Sequence, residues 1–524
     1  MKKAEIKRVV CSITAMSVIC TMTAPLFAGC GGKSGTGDNK AEKLFDEPVT
    51  FTIMTYEHPS QQVNPDGLKY KTITELTNVT LDFDITPLST YKTKKSAAMA
   101  AGNVSDITYV ETSDLQKYAD SGIFLKLDDY LESGLDNFYT IVKDDENWKR
   151  TMINGSVYGL TILNSGTYPT GGKCPVIRYD ILEKNNIAMP TTFNEWFNVM
   201  KQLKTIYPDS TPLSGRNAGI NMLANMEYAM GCYCGFGYNP DTGKYEYGAL
   251  TDKYRPILEF WIKCWNEGII DKNWGTADSN SWDKGVNSNK IFFWYDNAGF
   301  AASQTASLQK SNPDALMQIM PLMSNSSGQK RGIVYAKHQY NSLYALSANS
   351  TVRDKLIKFM NWCYSDEGMY VCNYGKEGET FTKDSKGNVT IEESVVKKYA
   401  TASSPLYNWM SDYGLGLLSF SPRVRDNGEL LDALGRDNSQ FYDILKADYD
   451  AGYYTPEFTD VTLASDQKTE ISKKMRDVNS LLYTEIRNFI EGKRPITEWN
   501  QFVSQLKNAG AEDVVNAYNA VLGK

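Results

Sequence analysis

The spacing of apolar residues alternates between strand-like and helix-like periods across residues 49–111. The segments with period two are 49–53, 79–85 and 107–110. The segments with helical spacing or strong helix formers are 68–77 and 91–101, and the second stops at Gly102, a residue that commonly ends helices. An order of strand, helix, strand, helix, strand is typical of a parallel sheet with crossover helices. We therefore predict an α/β fold.

Two of the predicted strands end in clusters of polar and aromatic residues. Tyr56, Glu57 and His58 follow the first strand, and Glu111 follows the third. Ligands of open α/β sheets bind outside the carboxyl ends of the strands. The pattern predicts a ligand cleft at this edge, and solvated loop residues are the alternative interpretation.

The first thirty residues have the order of a secretory signal. Residues 1–8 are basic, and the apolar run at 9–22 is too short to span a membrane. The stretch LFAGC at 26–30 resembles a bacterial lipobox, with Phe27 where leucine is usual. In such signals the cysteine is diacylated and becomes the new N-terminus. We predict a signal peptide over 1–29, and a lipidated Cys30 with a flexible tether over 30–47.

The charge balance and the scarcity of histidine exclude several functions. Removal of residues 1–29, which carry four basic and one acidic side chain, takes the formal net charge from −7 to −10. A chain this acidic is unsuited to nucleic acid, because phosphates require a basic surface. His58 and His338 are the only histidines, which excludes three-histidine and HExxH zinc sites.

Six cysteines remain once the signal segment is removed and Cys30 is lipidated. They are Cys174, Cys232, Cys234, Cys264, Cys363 and Cys372. Six cysteines allow 15 pairings, so the sequence leaves buried free thiols and disulfide bridges both open.

Several motifs occur in a familiar order along the chain. After the lipobox they are SAAMAAGNVSDITYV at 96–110, VIRYDILEKNNIAMPTTFNEW at 176–196, NYGKEGETFT at 373–382 and FIEGKRPITEWNQFVSQLKNAG at 489–510. Together they resemble the extracellular solute-binding lipoproteins of bacterial ABC importers, in the large oligosaccharide-binding branch of family 1. The resemblance covers nearly the whole chain after the signal segment.

The resemblance implies a two-lobed, periplasmic-binding-protein-like fold of type II, with discontinuous lobes joined by crossover strands. Lobe one would comprise 48–163 plus 335–372, and lobe two 164–334 plus 373–524. The implied function is capture of an oligosaccharide between the lobes and its delivery to ABC transporter permease subunits. The protein would be a monomer without enzymatic activity or cofactor, anchored by lipid on the extracellular side of the cell membrane.

Some relatives hold calcium in a loop after the Pro-Thr-Thr helix. The corresponding stretch here, YPDSTPLSG at 207–215, lacks the alternating oxygen ligands of a calcium loop. We predict no metal at this position.

Sugar rings require aromatic faces for stacking, and sugar hydroxyls require carboxylate and amide partners. The segment FFWYDN at 292–297 combines both kinds of group. With the strand ends and the implied crossovers, the predicted ligand-binding residues are Tyr56, Glu57, His58, Glu111, Asn164, Trp294, Asp296, His338, Tyr340 and Trp409. For Trp294, a place in the core of lobe two is the alternative.

Two other functions are compatible with a secreted, aromatic-rich lipoprotein. A glycoside-active enzyme needs two facing carboxylates, and with 62 acidic residues the sequence neither supports nor excludes such a pair. A surface carbohydrate sensor or adhesin would use the same fold and the same cleft.

The lipobox generates the first testable prediction. We expect Cys30→Ala to leave the protein unprocessed or to release it from the membrane, because no acyl chain can then be attached. Fractionation and mass spectrometry of the N-terminus measure both effects, with Cys20→Ala as the matched control. An intact segment 1–29 on the surface protein would contradict the prediction.

Overall fold

The computed structural model describes residues 42–57, 62–164, 172–400, 405–415, 420–425, 439–463 and 465–523. The strands are β1 Val49–Glu57, β2 Val79–Pro87, β3 Ile107–Glu111, β4 Leu160–Asn164, β5 Lys173–Arg178, β6 Phe236–Asn239, β7 Lys244–Tyr247, β8 Phe293–Asn297, β9 Met317–Ile319, β10 Gly332–Val334, β11 Gln339–Leu346, β12 Phe381–Lys383, β13 Val389–Ile391, β14 Arg423–Val424 and β15 Tyr454–Pro456. The α-helices are Leu68–Thr77, Leu88–Ala101, Thr112–Tyr118, Asp136–Val142, Glu146–Lys149, Tyr179–Lys184, Phe193–Ile206, Ala224–Met230, Tyr254–Asn266, Ser279–Asn287, Gly299–Leu308, Arg353–Tyr364, Asp366–Tyr374, Glu393–Tyr399, Pro405–Tyr413, Ser439–Asp450, Ser465–Ile490, Trp499–Asn508 and Ala511–Val521. The predicted α/β class is confirmed.

The largest sheet has six strands in the order β14-β4-β11-β3-β1-β2. β1 pairs in parallel with β2 along its whole length and with β3 over a shorter stretch. The helices Leu68–Thr77 and Leu88–Ala101 make the two crossovers, as the sequence pattern predicts. β11 enters this sheet from a distant part of the chain and runs antiparallel to both β3 and β4.

Apolar side chains cover both faces of the six-stranded sheet. Tyr344 joins a core that includes Phe51 and Ile162, whereas its neighbour Leu343 joins a smaller core on the opposite face with Val110. Alternate residues of a strand point to opposite faces, so β11 contributes to both cores. Burial on both faces is usual for sheets with crossover helices.

A second large core surrounds the three-stranded sheet β8-β5-β9. It includes Val176 and Phe293 of this sheet and the buried indoles of Trp196 and Trp261. The separate cores give the molecule two lobes. Some packing departs from the predicted boundaries: Phe420 and Val424 lie in the first core, and Lys376 pairs with Glu75, although 373–524 is predicted to belong to lobe two. The short strand β14 pairs with β4, which explains the placement of Phe420 and Val424.

Local signals in the sequence set several helix ends and turns. Gly102 follows its helix with a φ of +70°, and its N–H bonds the carbonyls of Ala98 and Met99. The helix Phe193–Ile206 begins after Thr192, whose hydroxyl accepts the Glu195 N–H at 3.2 Å. The Glu195 carboxylate in turn accepts from the N–H and the hydroxyl of Thr191.

All six cysteines beyond the signal segment and Cys30 are buried free thiols in the structure. Burial raises the pKa of thiols such as Cys174, which keeps them protonated and unreactive. The predicted signal peptide and Cys30 lie outside the described residues. Among the described helices, none is long and apolar enough to cross a membrane.

The fully buried carboxyl of Glu227 holds together part of the second core. It accepts hydrogen bonds from the Tyr254 hydroxyl at 2.8 Å, Trp261 Nε1 at 3.2 Å and the Cys234 N–H at 3.1 Å. Burial raises the pKa of Glu227 from 4.5 to about 7, and the hydrogen bonds only partly offset this effect.

The raised pKa predicts how stability changes with pH. Between about pH 4.5 and 7 the folded chain holds a proton that the unfolded chain releases, so stability falls as the pH rises through this window. We expect Glu227→Gln to remove this pH-dependent loss of stability. The difference in unfolding free energy between the variant and the wild type should therefore increase by about 3 kcal/mol between pH 4.5 and 8. Denaturant unfolding measures the change, with the exposed Glu259→Gln as control. A difference that is constant with pH would contradict the prediction.

Candidate ligand-binding site

Six predicted residues lie along one edge of the six-stranded sheet. Tyr56 and Glu57 end β1, Glu111 ends β3 and Asn164 ends β4. Because β11 is antiparallel to β3 and β4, its first residues reach the same edge, with Ser342 opposite Glu111 and Gln339 opposite Ile162. His338, immediately before β11, and Tyr340, near the start of β11, therefore lie at the same edge.

His338 is buried and joins two strands at this edge. Its Nδ1 accepts the backbone N–H of Asn164 at 3.0 Å, which places the ring proton of the neutral imidazole on Nε2. Burial and the neighbouring Lys337 lower the pKa of His338 from 6.5 to about 4, although Asp145 opposes the shift. The Tyr340 hydroxyl donates to Asp145.

Three tyrosine rings form an aromatic cluster beside the same edge, in which Tyr91 is buried. The half-buried ring of Tyr56 lies 5.4 Å from the ring of Tyr91 and 5.2 Å from that of Tyr109. The Tyr91 hydroxyl donates to the carbonyl of Tyr109 at 2.6 Å, and the Tyr109 hydroxyl donates to Ser342 at 2.9 Å. These bonds hold the Tyr91 and Tyr109 rings in place around Tyr56.

Asp296 is the centre of a charged cluster at the edge of the second sheet. It follows Tyr295 in β8, and its carboxylate accepts from Lys173 Nζ at 2.8 Å and Arg216 Nε at 2.6 Å. The backbone N–H of Asn297 donates to the same carboxylate at 2.8 Å. The two cations and these hydrogen bonds outweigh burial and lower the pKa of Asp296, which keeps it ionised.

A short crossover, residues 335–338, connects the second lobe near Asp296 with the edge of the six-stranded sheet. The chain leaves β10 at Val334 in the second core and enters β11 at Gln339 in the first sheet. Five residue steps span at most about 18 Å, so the two edges are neighbours. Within the crossover, the Tyr335 hydroxyl donates to Asn297 of the second sheet, whereas His338 contacts Asn164 of the first.

A small recess opens beside Asp296 in the second lobe, with a cavity volume of about 10 Å³, room for about one water-sized group. Its lining residues are Ser214, Gly215, Arg216, Asn217, Asn221, Met222, Trp282, Trp294, Tyr295 and Asp296. We call it the tryptophan pocket, because Trp282 and Trp294 form part of its wall with ring centroids 4.9 Å apart. Trp294 is only 1% exposed and belongs to the second core, which is the alternative named for it, and its contact with a ligand stays a prediction.

The remaining predicted residues are not brought to these edges by any described contact. Trp409 is fully buried in a separate apolar cluster with Tyr374 and Phe381, so its packing is that of a core residue. His58 lies outside the described residues. Whether the predicted residues bind ligand stays a prediction.

Lys173, Arg216 and Tyr335 are not among the residues predicted from the sequence. No motif marks them, because each acquires its partner from a segment distant in the sequence. The acidic and aromatic segment at 292–297 was the available signal for this region, and it pointed to Asp296 but not to the cations that surround it.

The sequence profile of the bacterial extracellular solute-binding protein family matches residues 58–370, more than half of the chain. The chain belongs to this family. The family consists of solute-binding proteins and not of enzymes. The resemblance seen in the sequence motifs is thereby confirmed.

Two curated relatives match most of this solute-binding protein. Lipoprotein LipO of Bacillus subtilis is 23% identical over 378 residues, covering 69% of this chain and 72% of LipO. The fructooligosaccharide ABC transporter substrate-binding protein FusA of Streptococcus pneumoniae is 21% identical over 550 residues, covering 95% of both chains.

A solved structure confirms the fold class. The calcium-free alginate-binding protein AlgQ2 superposes with a TM-score of 0.74 at 19% identity, covering 93% of this chain and 100% of AlgQ2. The two-lobed, type II architecture of this solute-binding protein is therefore shared with solved structures.

The lowered pKa of His338 gives a spectroscopic prediction. The chain contains only two histidines, so the His58→Gln variant leaves a single imidazole signal in proton NMR. We expect that signal to titrate near pH 4 and to stay constant between pH 5 and 8, because burial disfavours the imidazolium. Circular dichroism at each pH checks that the protein is folded. A midpoint near 6.5 would contradict the buried, neutral state.

Proposed function

We propose that this protein captures an oligosaccharide between its two lobes and delivers it to the permease subunits of an ABC importer. In this proposal a diacylated Cys30 anchors it as a monomer at the extracellular face of the cell membrane. The observation that carries the proposal is the juxtaposition of two polar, aromatic sheet edges by the crossover at 335–338. One edge presents Tyr56 and Glu57, and the other presents the Asp296 cluster.

The chemistry of the two edges suits a sugar chain. Aromatic rings such as Tyr56 offer a face for the C–H side of a sugar ring, and carboxylates and amides bond its hydroxyls. The names of two similar proteins refer to carbohydrate ligands, a fructooligosaccharide for FusA and alginate for AlgQ2. These ligands differ from one another, so the names support the class and not a particular sugar.

The described site favours binding over glycoside hydrolysis. Hydrolysis needs a protonated carboxyl as general acid beside a second carboxylate. Asp296 is held ionised by Lys173 and Arg216, so it lacks the proton that a general acid supplies. A sensor or adhesin would share the same binding step, and a transport assay with the permease distinguishes the two roles.

Two-lobed binding proteins close around their ligands by hinge motion. The four residues between β10 and β11 are a short connection, in which small backbone changes swing whole lobes while each core stays packed. The ligand drives such closure only through its higher affinity for the closed state.

Calorimetry against a panel of oligosaccharides tests the proposal. We expect at least one to bind and to remain intact by mass spectrometry, and the radius of gyration in solution scattering to fall at saturation. Tyr56→Ala should weaken binding by about 1–3 kcal/mol, the scale of a lost aromatic contact.

Glu259→Ala, an exposed change on the helix Tyr254–Asn266, is the control and should bind as wild type does. Absence of binding to every oligosaccharide would contradict the proposed function. Cleavage of the bound sugar would favour the enzyme alternative, and an unchanged radius of gyration would contradict hinge closure.

A further inference from the structure

The loop at residues 457–462 is anchored to the second lobe at both of its ends. The N–H of Glu457 donates to the carbonyl of Val334, the last residue before the crossover, at 2.8 Å. Near the other end, the hydroxyl of the buried Tyr245 accepts the Val461 N–H at 2.9 Å and donates to the Asp460 carboxylate at 3.1 Å. The loop is therefore part of the second lobe, and we call it the latch loop.

Phe458 of the latch loop lies between an aromatic ring of its own lobe and a guanidinium of the first lobe. Its ring stacks on that of Tyr238, with centroids 3.6 Å apart and planes 10° apart. The guanidinium carbon of Arg150 lies 4.2 Å from the centre of the same ring. Two groups this close to one ring centre must lie on opposite faces of the ring. An aromatic face attracts a cation and stacks well on a planar guanidinium, so this contact joins the two lobes.

Thr462 makes a second link between the lobes. Its hydroxyl accepts from Gln116 Nε2 at 3.2 Å and donates to the carbonyl of Arg150 at 3.3 Å. One hydroxyl thereby bonds two separate segments of the first lobe. The Arg150 side chain is itself held within the first lobe, because its Nη1 donates to the side-chain oxygen of Asn147 at 2.8 Å. Each partner is thus positioned by its own lobe.

The first-lobe partners of the latch loop lie at the edge that carries predicted ligand-binding residues. The helix that contains Gln116 begins directly after Glu111, the end of β3. The helix before Arg150 is capped by Asp145, which accepts a hydrogen bond from the first part of β11. A rotation about the crossover that opens the cleft moves this edge away from the second lobe, and it also separates Arg150 from Phe458. The contacts therefore fit the closed arrangement of the lobes.

The contacts of the latch loop with the first lobe differ from those that hold each lobe together. Arg150, Phe458 and Thr462 are each half-buried, whereas the two large cores consist of buried residues. Partly solvated, polar contacts are typical of interfaces between domains that move relative to each other. They can form and break while both cores stay packed. Since every partner is a protein group, their formation does not require a ligand.

We propose that Arg150, Phe458 and Thr462 form a latch that holds the cleft closed and so controls how long a sugar stays bound. The inference rests on the proposed function for its effect on the sugar, and it names the residues that regulate closure. They are positioning residues, because they act on the ligand only through the separation of the two sheet edges. A contact made only in the closed state raises the population of that state and slows ligand release, which requires opening.

Solution scattering of the free protein tests the latch without any ligand. Arg150→Ala removes the guanidinium, and Thr462→Val removes the hydroxyl but keeps the shape of the side chain. We expect both variants to have a larger radius of gyration than the wild type, because the closed arrangement loses a contact. Arg255→Ala, which removes an exposed guanidinium from the helix Tyr254–Asn266, is the matched control and should leave the radius unchanged. A radius equal to that of the wild type in both latch variants would overturn the proposal.

The rate of ligand release tests the latch at the site. The probes are kestose, maltotriose, cellotriose and trigalacturonate, and surface plasmon resonance gives the association and dissociation rates of those that bind. We expect Arg150→Ala and Phe458→Leu each to speed dissociation about tenfold, the scale of a lost cation–aromatic contact, without slowing association. The double variant should release the sugar no faster than the faster single variant, because both substitutions remove the same contact. Additive effects, or dissociation rates equal to that of the wild type, would overturn the proposal.

The outcomes separate the latch from the proposed function. If a probe binds and the latch variants release it as the wild type does, the latch is wrong and the proposed function stands. Absence of binding to every probe contradicts the proposed function, and the scattering experiment then decides on the latch alone. If Phe458→Leu melts at a much lower temperature than the wild type, the dissociation rate of Thr462→Val, expected to be faster than that of the wild type, decides in its place.

Discussion

The position of β11 is the constraint on which the rest of the molecule depends. This strand lies in the middle of the six-stranded sheet, hydrogen-bonded to β3 on one side and β4 on the other, yet the chain forms it only after the whole second sheet. Without it, two strand edges would be unpaired within a buried sheet, which is costly because backbone groups there have no water to bond. The first lobe is therefore complete only when the chain has returned from the second.

That return also brings together the residues of the candidate site. Because β11 must start at the edge where β3 and β4 end, the preceding crossover residues lie beside Glu111 and Asn164. The contact between His338 and the Asn164 N–H fixes one end of the crossover, and the contact between Tyr335 and Asn297 fixes the other. The chain topology places the edges of the two sheets next to each other, and these two contacts fix the crossover between them.

The charged cluster at Asp296 has a different role from the one its residue type suggests. A carboxylate at a strand end suggests an acceptor for sugar hydroxyls. The Asp296 carboxylate instead forms ion pairs with Lys173 and Arg216, which come from separate segments. The desolvation of this buried carboxylate is offset by two cations and a backbone N–H. The outcome is an ion-paired cluster in which Asp296 fixes the positions of Lys173 and Arg216.

Local patterns in the sequence were enough to predict the α/β class, the crossover helices of β1 to β3 and the helix end at Gly102, because hydrophobic period and glycine conformation are properties of short segments. They also pointed to Tyr56, Glu57 and Glu111, since a strand end is a local feature. The partners of Asp296, the core position of Trp409 and the pairing of β14 with β4 depend on contacts between segments tens to hundreds of residues apart. Burial and ion pairing at such distances arise only when the chain is folded, and no short window of the sequence records them.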